Sequence, residues 1–282
     1  MIYLNNKIQK KQQTGLSLIE LLIAMLIGLF LLTGIATSYI SSKKSSNQRD
    51  ELTILEDNGR LALEIISKSI EHTGYTPINA GILNPPFVTN DAQVVSASCG
   101  AENSVKDTSI FSNRITQDGV AGDAITVMFN GDNRVYTDCS GGELPSLCRV
   151  PAPGAAAGSS SVMTRIYNAF YLNNGELHCA GSRDSKVQVI ADGIENMQFL
   201  YGLDTTGDGD VNQYVNATAT SVAGGWNSVV SIQVAILVKS KKPVKSKNEK
   251  ITYTLLDQVV VAPNDRHQRA VFTTTIRIRN TL

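Results

Sequence analysis

The sequence has few of the residues that most enzyme sites need. It contains three histidines, four cysteines and one tryptophan in 282 residues. His72, His178 and His267 have no nucleophile or acid in an assignable arrangement, and neither a phosphate-binding glycine loop nor a metal-ligand spacing occurs. His178 stands beside Cys179, but a surface histidine is a commoner role than a ligand. We therefore predict a protein that is not an enzyme and acts by assembly.

The sequence also lacks the net charge that would attract a polyanion. Its 25 basic residues balance 25 acidic ones, and removing residues 1–15 takes away three lysines, which leaves 22 basic against 25 acidic residues. Such a chain has no general attraction for nucleic acid. Six lysines surround Pro243, but no aromatic residue lies among them to stack bases, so a solvated hairpin loop is favoured over a polyanion site. This lysine loop comprises Lys239, Lys241, Lys242, Lys245, Lys247 and Lys250.

Long apolar runs are absent except for one near the N-terminus. Residues 16–40 would form a helix of about 37 Å, which exceeds the ~30 Å hydrocarbon core of a membrane. Lys7, Lys10 and Lys11 precede the run without any acidic residue, so the positive-inside bias places the N-terminus in the cytoplasm. The sequence predicts a single-pass inner-membrane helix with everything after residue 40 across the membrane.

Glu20 places a carboxylate inside this apolar run. A carboxylate deep in a membrane costs about 2.5–3.5 kcal/mol, so it needs a partner. No lysine or arginine occurs between Leu16 and Ser42. We expect the partner to come from another molecule, or from an amine made by cleaving this chain.

The stretch Thr14–Glu20 resembles the class III leader of type IV prepilins and type II secretion pseudopilins. The resemblance implies that a prepilin peptidase cuts after Gly15, that Leu16 is then N-methylated, and that Glu20 pairs with the terminal amine of a neighbouring subunit. The sequence departs from the family pattern at Leu16, where phenylalanine is usual, and at Thr37, where major pilins often carry proline.

An ordinary signal peptide or a plain membrane anchor would be the alternative. Signal peptides are cut after the apolar segment, at small residues. Here the glycine precedes the run, and residues 34–36, Gly-Ile-Ala, match such a cleavage site poorly. The common register of basic leader, Gly15, Glu20 and apolar run therefore favours a prepilin leader.

After the apolar run, the sequence predicts helix first and strands later, which is an α+β order. Apolar residues recur at steps of three or four and Gly74 is placed as the C-cap, so one helix is expected from about Leu16 to Thr73. The stripe is Leu52, Leu55, Gly59, Ala62, Ile66 and Ile70. Strands are expected at 163–172 and 176–179 across an Asn-Asn-Gly turn, and at 187–190, 197–201, 228–239, 251–261 and 270–279. A hairpin of residues 124–129 with 134–136 is also expected.

Several stretches resemble the PilW-type minor pilins of this family. They are residues 58–63, 71–75, 168–179, 194–204 and 269–280. The resemblance implies a pilin-like fold, in which a long N-terminal transmembrane and spine helix packs on an antiparallel β-sheet head. It implies a cleaved leader (1–15), a transmembrane helix (16–40), its amphipathic continuation (41–74) and a head (75–282), with a variable insertion at about 76–160 that we expect to be loops until residue 108.

The resemblance also implies a function and partners. A minor pilin of this type would help prime a type IV pilus or form its tip, with other minor pilins, the major pilin, the prepilin peptidase and the assembly platform as partners. It would sit in the inner membrane before assembly and in the pilus at the cell surface afterwards. The alternatives are a J-type minor pseudopilin of type II secretion, and an envelope receptor that binds DNA or a surface through the lysine loop.

Residues 204–212 resemble the first half of a calcium loop. Oxygen side chains stand at alternate positions with glycine at the bend, but Thr206 replaces a usual carboxylate and Val215 stands where the bidentate glutamate belongs. An Asx-rich turn between strands is the alternative. The candidate ligands are Asp204, Thr206, Asp208, Asp210 and Asn212, and no other cofactor is expected.

The four cysteines all follow the membrane segment, in a compartment where disulfides persist. Cys99, Cys139, Cys148 and Cys179 allow three pairings. We expect Cys139 to pair with Cys148, because this closes a short loop that contains glycine and proline.

Overall fold

The computed structural model describes residue 15 and residues 17–77, 86–149, 164–184, 186–222 and 225–280. The chain divides into two compact units, residues 1–49 and 50–282. The helices are α1 (Leu18–Glu71) and α2 (Ala217–Val222). The strands are β1 (Ser98–Cys99), β2 (Glu102–Asn103), β3 (Ile125–Asn130), β4 (Arg165–Asn173), β5 (Glu176–Gly181), β6 (Gln188–Asp192), β7 (Ile194–Leu203), β8 (Gln213–Val215), β9 (Val229–Lys239), β10 (Thr252–Leu255), β11 (Gln258–Val261) and β12 (Arg269–Arg277).

The predicted long helix is α1, which runs unbroken for 54 residues. Five of the six stripe residues are buried, and Gly74 adopts a φ of 74° just after the helix, as expected of a C-terminal cap. Leu52 is the exception, because 40% of its surface remains exposed. At Gly59 the ring of Phe272 lies so close that a Cβ would stand 2.6 Å from it, so glycine permits this contact of helix and sheet.

Two antiparallel four-stranded sheets form the head, in the orders β12-β9-β7-β8 and β3-β4-β5-β6. Their apolar faces and the buried face of α1 share one core, to which Ile66, Phe170 and Ile236 contribute. This arrangement confirms the predicted α+β, pilin-like architecture.

Local turn chemistry explains most strand connections. The hairpin β4–β5 turns at Asn174 and Gly175, both with positive φ, as the Asn-Gly signal predicted. Residues 251–261, expected as one strand, form the two strands of the β10–β11 hairpin, because Leu256 turns the chain at a φ of 54°.

The expected hairpin of residues 124–129 with 134–136 is wrong. β3 pairs instead with β4, more than thirty residues later in the chain. Asp132 explains the difference, since its carboxylate accepts hydrogen bonds from the backbone N–H groups of Arg134 and Val135. This Asx turn leads the chain away from β3 rather than back along it.

The described part of the region expected as loops contributes a second core. Val88, Val94 and Val105 belong to this core together with Met128 and Tyr167, on the face of the β3–β6 sheet away from the main core. The stretch 78–85 and residues 150–163 lie outside the described residues. A segment without periodicity therefore still covers a sheet, because a few apolar side chains in irregular backbone suffice.

The expected disulfide between Cys139 and Cys148 is wrong. The bonds join Cys99 to Cys148 and Cys139 to Cys179, with Cα atoms 5.3 and 6.2 Å apart. Cys139 reaches β5 because its N–H donates to the side chain of Asn168 in β4, at 2.9 Å. Both disulfides therefore fix the insertion by joining cysteines that are distant in the sequence.

Candidate assembly site

In the sequence, the predicted processing residues lie just before Leu18, the first residue of α1. Gly15 is exposed, and a Cβ added there would meet no atom within 4 Å. The structure therefore does not require glycine at position 15 for steric reasons. Leu16 lies outside the described residues, so cleavage and N-methylation at these two residues stay predictions.

Glu20 has a local partner that the sequence argument missed. The backbone N–H of Ser17 donates to Glu20 Oε2 at 3.0 Å, and the Ser17 carbonyl accepts the first helical bond, from Leu21. Ser17 is thus the N-cap and Glu20 is N3, which is half of a capping box. The Ser-x-x-Glu spacing was the available signal. The bond caps the helix but supplies no opposite charge, so an intermolecular amine remains the predicted charge partner.

The apolar segment of α1 buries nothing against the described part of its own chain. Leu18 is 78% exposed and Phe30 73% exposed. By length and composition, α1 is suited to cross a membrane. The Thr33 hydroxyl donates a hydrogen bond to the Leu29 carbonyl, and the Thr37 hydroxyl donates one to the Gly34 carbonyl. Both hydroxyl groups are thus satisfied within the helix, as a lipid environment requires.

The candidate calcium loop is organised by its own side chains. Asp204 accepts hydrogen bonds from the N–H groups of Thr206, Gly207 and Gly209, which lower its pKa. The Asn212 side chain accepts one from Thr205 N–H at 2.7 Å. This is the geometry of an Asx-rich turn, and the three carboxylates Asp204, Asp208 and Asp210 form no metal cluster in the described residues. Calcium binding here stays a prediction.

Four residues of the lysine loop form ion pairs with carboxylates of α1 and the head. Lys242 Nζ lies 3.5 Å from Glu51 of α1, and its backbone N–H donates to the same carboxylate at 2.8 Å. Lys239 pairs with Glu195 of β7 at 3.1 Å. These contacts neutralise part of the loop and anchor it to α1 and β7. The remaining pairs are Lys241 with Asp192 and Lys245 with Glu249.

The histidines occupy structural positions. Burial lowers the pKa of His72, which packs against Phe129. His178 is 9% exposed and stacks on Tyr171, so the expectation of a surface histidine is wrong. His267 Nδ1 lies 2.8 Å from the Ser240 carbonyl. Within the described ranges, no three His, Cys, Asp or Glu side chains group as a metal site.

Two buried charged residues, Arg269 and Asp123, make contacts within the head. The sequence analysis pointed only to the stretch that contains Arg269. Arg269, which the resemblance singled out, is 2% exposed at its side chain and binds Glu195 and Asp265 at 2.5 and 2.7 Å. Burial opposes ionisation of Glu195, but hydrogen bonds from Arg269 and Lys239 outweigh it and lower its pKa. Asp123 had no sequence signal, because its carboxylate accepts backbone N–H groups of the nearby Gly119 and of Phe199 in β7, which no motif indicates.

Comparisons with known proteins agree with the leader and the head. The family model described as Type IV Pilus-assembly protein W matches residues 156–280, and the Prokaryotic N-terminal methylation motif matches residues 10–36. No curated protein matches the chain. A type IV-like pilin of Thermus thermophilus is similar in structure with 13% identity and a TM-score of 0.39, over 83% of this chain and 96% of that one.

A second solved structure is the GspK-GspI-GspJ complex from the type 2 secretion system of enterotoxigenic Escherichia coli. It shows 6% identity and a TM-score of 0.32, over 79% of this chain and 96% of that one. The assignment depends on the two family models, which match one chain in the order methylation motif, then head. These two matches support a PilW-type minor pilin.

Proposed function

We propose that this protein assembles through α1 into a type IV pilus and helps to prime the filament or to form its tip complex. The observation that carries the proposal is the apolar segment of α1, whose side chains are exposed along its described length. An exposed apolar surface of this extent marks a site that contacts a membrane or another protein. Lipid covers it before assembly, and the helices of other subunits cover it in a filament.

In this proposal the N-terminus lies in the cytoplasm until the prepilin peptidase removes residues 1–15. The other minor pilins, the major pilin and the assembly platform are then the partners, and the head reaches the cell surface with the pilus. The same anchoring physics fits a J-type pseudopilin. The PilW match over the head is what favours the pilus.

Glu20 supplies the charge contact in this account. Its carboxylate receives the methylated amine of a neighbouring subunit, in addition to the N–H of Ser17. A charge pair sheltered from water is stronger than one at a surface. In the family, a subunit at the very tip has no earlier neighbour to offer an amine, so the presence of Glu20 supports a position below another minor pilin.

Three variants of the full-length protein test this role. Glu20→Ala removes both cap and charge, Glu20→Gln keeps an acceptor for Ser17 while removing the charge, and Asp50→Ala removes an exposed carboxylate elsewhere on α1. We expect both Glu20 variants to insert and fold but to lose co-purification with the other minor pilins. Asp50→Ala should behave as wild type. Wild-type co-purification by Glu20→Gln would mean that Glu20 acts as a helix cap and not in assembly.

A further inference from the structure

Two strand edges of the four-stranded sheets are covered by hydrogen bonds from neighbouring segments. At β3, the N–H of Met128 donates to the Pro86 carbonyl, and Val88 N–H donates to the Thr126 carbonyl, both at 2.9 Å. At β7, Asp123 N–H donates to the Met197 carbonyl at 2.7 Å, and its carboxylate accepts Phe199 N–H at 2.8 Å. Such closure prevents other chains from adding to an exposed edge.

Other edges are short or irregular. β8 has three residues. β6 has five, its pairing with β5 is broken by a bulge, and the amide of Asn58 donates to its Asp192 carbonyl at 3.0 Å. Both features are common defences of a strand edge.

The outer edge of β12 has no comparable cover. β12 pairs with β9 through nine consecutive residues without a bulge. The ladder continues from Ser240 N–H to the Gln268 carbonyl and from Ile278 N–H to the Val230 carbonyl, so even-numbered residues direct their backbone groups toward β9. The odd-numbered residues direct theirs outward. Within the part of the chain that the structure describes, these outward groups of Val271, Thr273 and Thr275 form no backbone hydrogen bond.

The side chains of β12 favour strand addition rather than oppose it. Residues 270–276 read Ala-Val-Phe-Thr-Thr-Thr-Ile, with no charge and no proline. Threonine, valine and isoleucine suit a pleated strand, whereas lysine or proline would protect an edge. Thr273 and Thr275 are exposed. This long, regular and uncharged edge is the type that accepts another strand.

A row of residues on α1 that contacts β12 includes one partly exposed apolar side chain. Leu52, Glu56, Gly59 and Leu63 follow one another at helical spacings of four, three and four, so they form one row. Phe272 of β12 packs on Gly59 in this row. Leu52 belongs to the stripe that the sequence predicts as buried, yet it is 40% exposed. A strand beside β12 would explain why an apolar residue stands there.

We propose that β12 accepts an extended, uncharged segment rich in β-branched residues from a different polypeptide, which lengthens the β12-β9-β7-β8 sheet by one strand. The inference rests on the proposed function, because the donor is another subunit of the same assembly. Antiparallel pairing of β12 with β12 of a second copy would run α1 in opposite directions in the two copies. Copies inserted in one membrane with one orientation exclude that arrangement.

Hydrogen exchange of the full-length protein tests this inference, first in detergent alone and then in the complex purified with its partner subunits. Alone, the amides of Val271, Thr273 and Thr275 should exchange rapidly while those of Phe272 and Thr274 are protected. In the complex the outward amides should slow by at least about tenfold, because each gains a ladder hydrogen bond. Outward amides that are protected in the protein alone, or that stay fast in an intact complex, would overturn the inference.

Matched variants separate edge pairing from other contacts. Thr273→Lys places a charge on the edge and should reduce co-purified partner, whereas Thr273→Val keeps β propensity and should not. Thr254→Lys makes the same change at an exposed threonine of β10 and should have no effect. A photo-cross-linker at position 273 should capture an uncharged segment of another subunit, and capture of β12 itself would contradict the proposed donor. If wild-type protein joins no partner, the proposed function fails, and this inference with it.

Discussion

At the scale of single residues, two carboxylates of the head show how local surroundings set a pKa. Asp123 is 3% exposed and joins the two sheets, since its N–H and carboxylate bond to β7 while its other oxygen accepts Gly119 N–H at 2.9 Å. Burial raises the pKa of Asp123 to about 6, against these two backbone hydrogen bonds. The opposite case is Asp265, whose pKa is lowered chiefly by its hydrogen bonds with Arg269. The two aspartates thus have pKa values shifted in opposite directions, because burial dominates at Asp123 and the hydrogen bonds with Arg269 dominate at Asp265.

The raised pKa of Asp123 predicts a pH dependence. A carboxyl group with a higher pKa in the folded state binds more protons when folded, so it adds stability as the pH falls through 6 toward 4. Between pH 7.5 and 4.5 the free energy of unfolding of wild type, relative to Asp123→Asn, should rise by about 2 kcal/mol. Denaturant titrations at both pH values measure this, with Asp208→Asn at an exposed position as control. A difference independent of pH would show that Asp123 does not titrate in this window.

At the scale of elements, periodicity predicted what depends on near neighbours. The stripe from Leu55 to Ile70, the Gly74 cap and the Asn174-Gly175 turn are local, and all were found. The prediction that Leu52 is buried was wrong, because burial depends on residues that are distant in the sequence, and no described residue covers Leu52 fully. The predicted pairing of β3 with residues 134–136 was wrong for the same reason.

The buried face of α1 makes a direct prediction. Ile66 is fully buried in the main core, so Ile66→Asp should lower the free energy of unfolding by several kcal/mol through an unpaired buried charge. Leu61→Asp makes the same change on the same helix at a side chain that is 44% exposed, and should have a much smaller effect. Thermal unfolding of both proteins measures the difference. Equal midpoints would mean that the stripe faces solvent.

The disulfides give a second prediction for the elements. Cys139→Ser should free Cys179 alone and leave the bond of Cys99 with Cys148 intact, as peptide mapping under non-reducing conditions can show. Loss of the cross-link should cost about 2–4 kcal/mol of stability. A free Cys148 in this variant would instead restore the pairing that sequence proximity suggested.

At the scale of the whole molecule, the anchor is predictable and the head is only partly so. The leader register, Gly15 and Glu20 are consecutive features, so one pass along the chain finds them. Asp123, the β12 edge and the disulfides depend on contacts between residues that are 30 or more positions apart, which no local pattern encodes. The anchor can therefore be predicted from the sequence, whereas the proposed β12 edge can be found only from the fold.

The central claim is that this chain is processed as a prepilin before its helix enters an assembly. Intact-mass spectrometry of the protein purified from its assembled complex tests this most directly. The account predicts the mass of residues 16–282 with two disulfides and one methyl group on the amine of Leu16. Replacing Gly15 with a bulky residue should leave the longer form in the membrane. Retention of Met1 in the assembled wild-type protein would contradict the account.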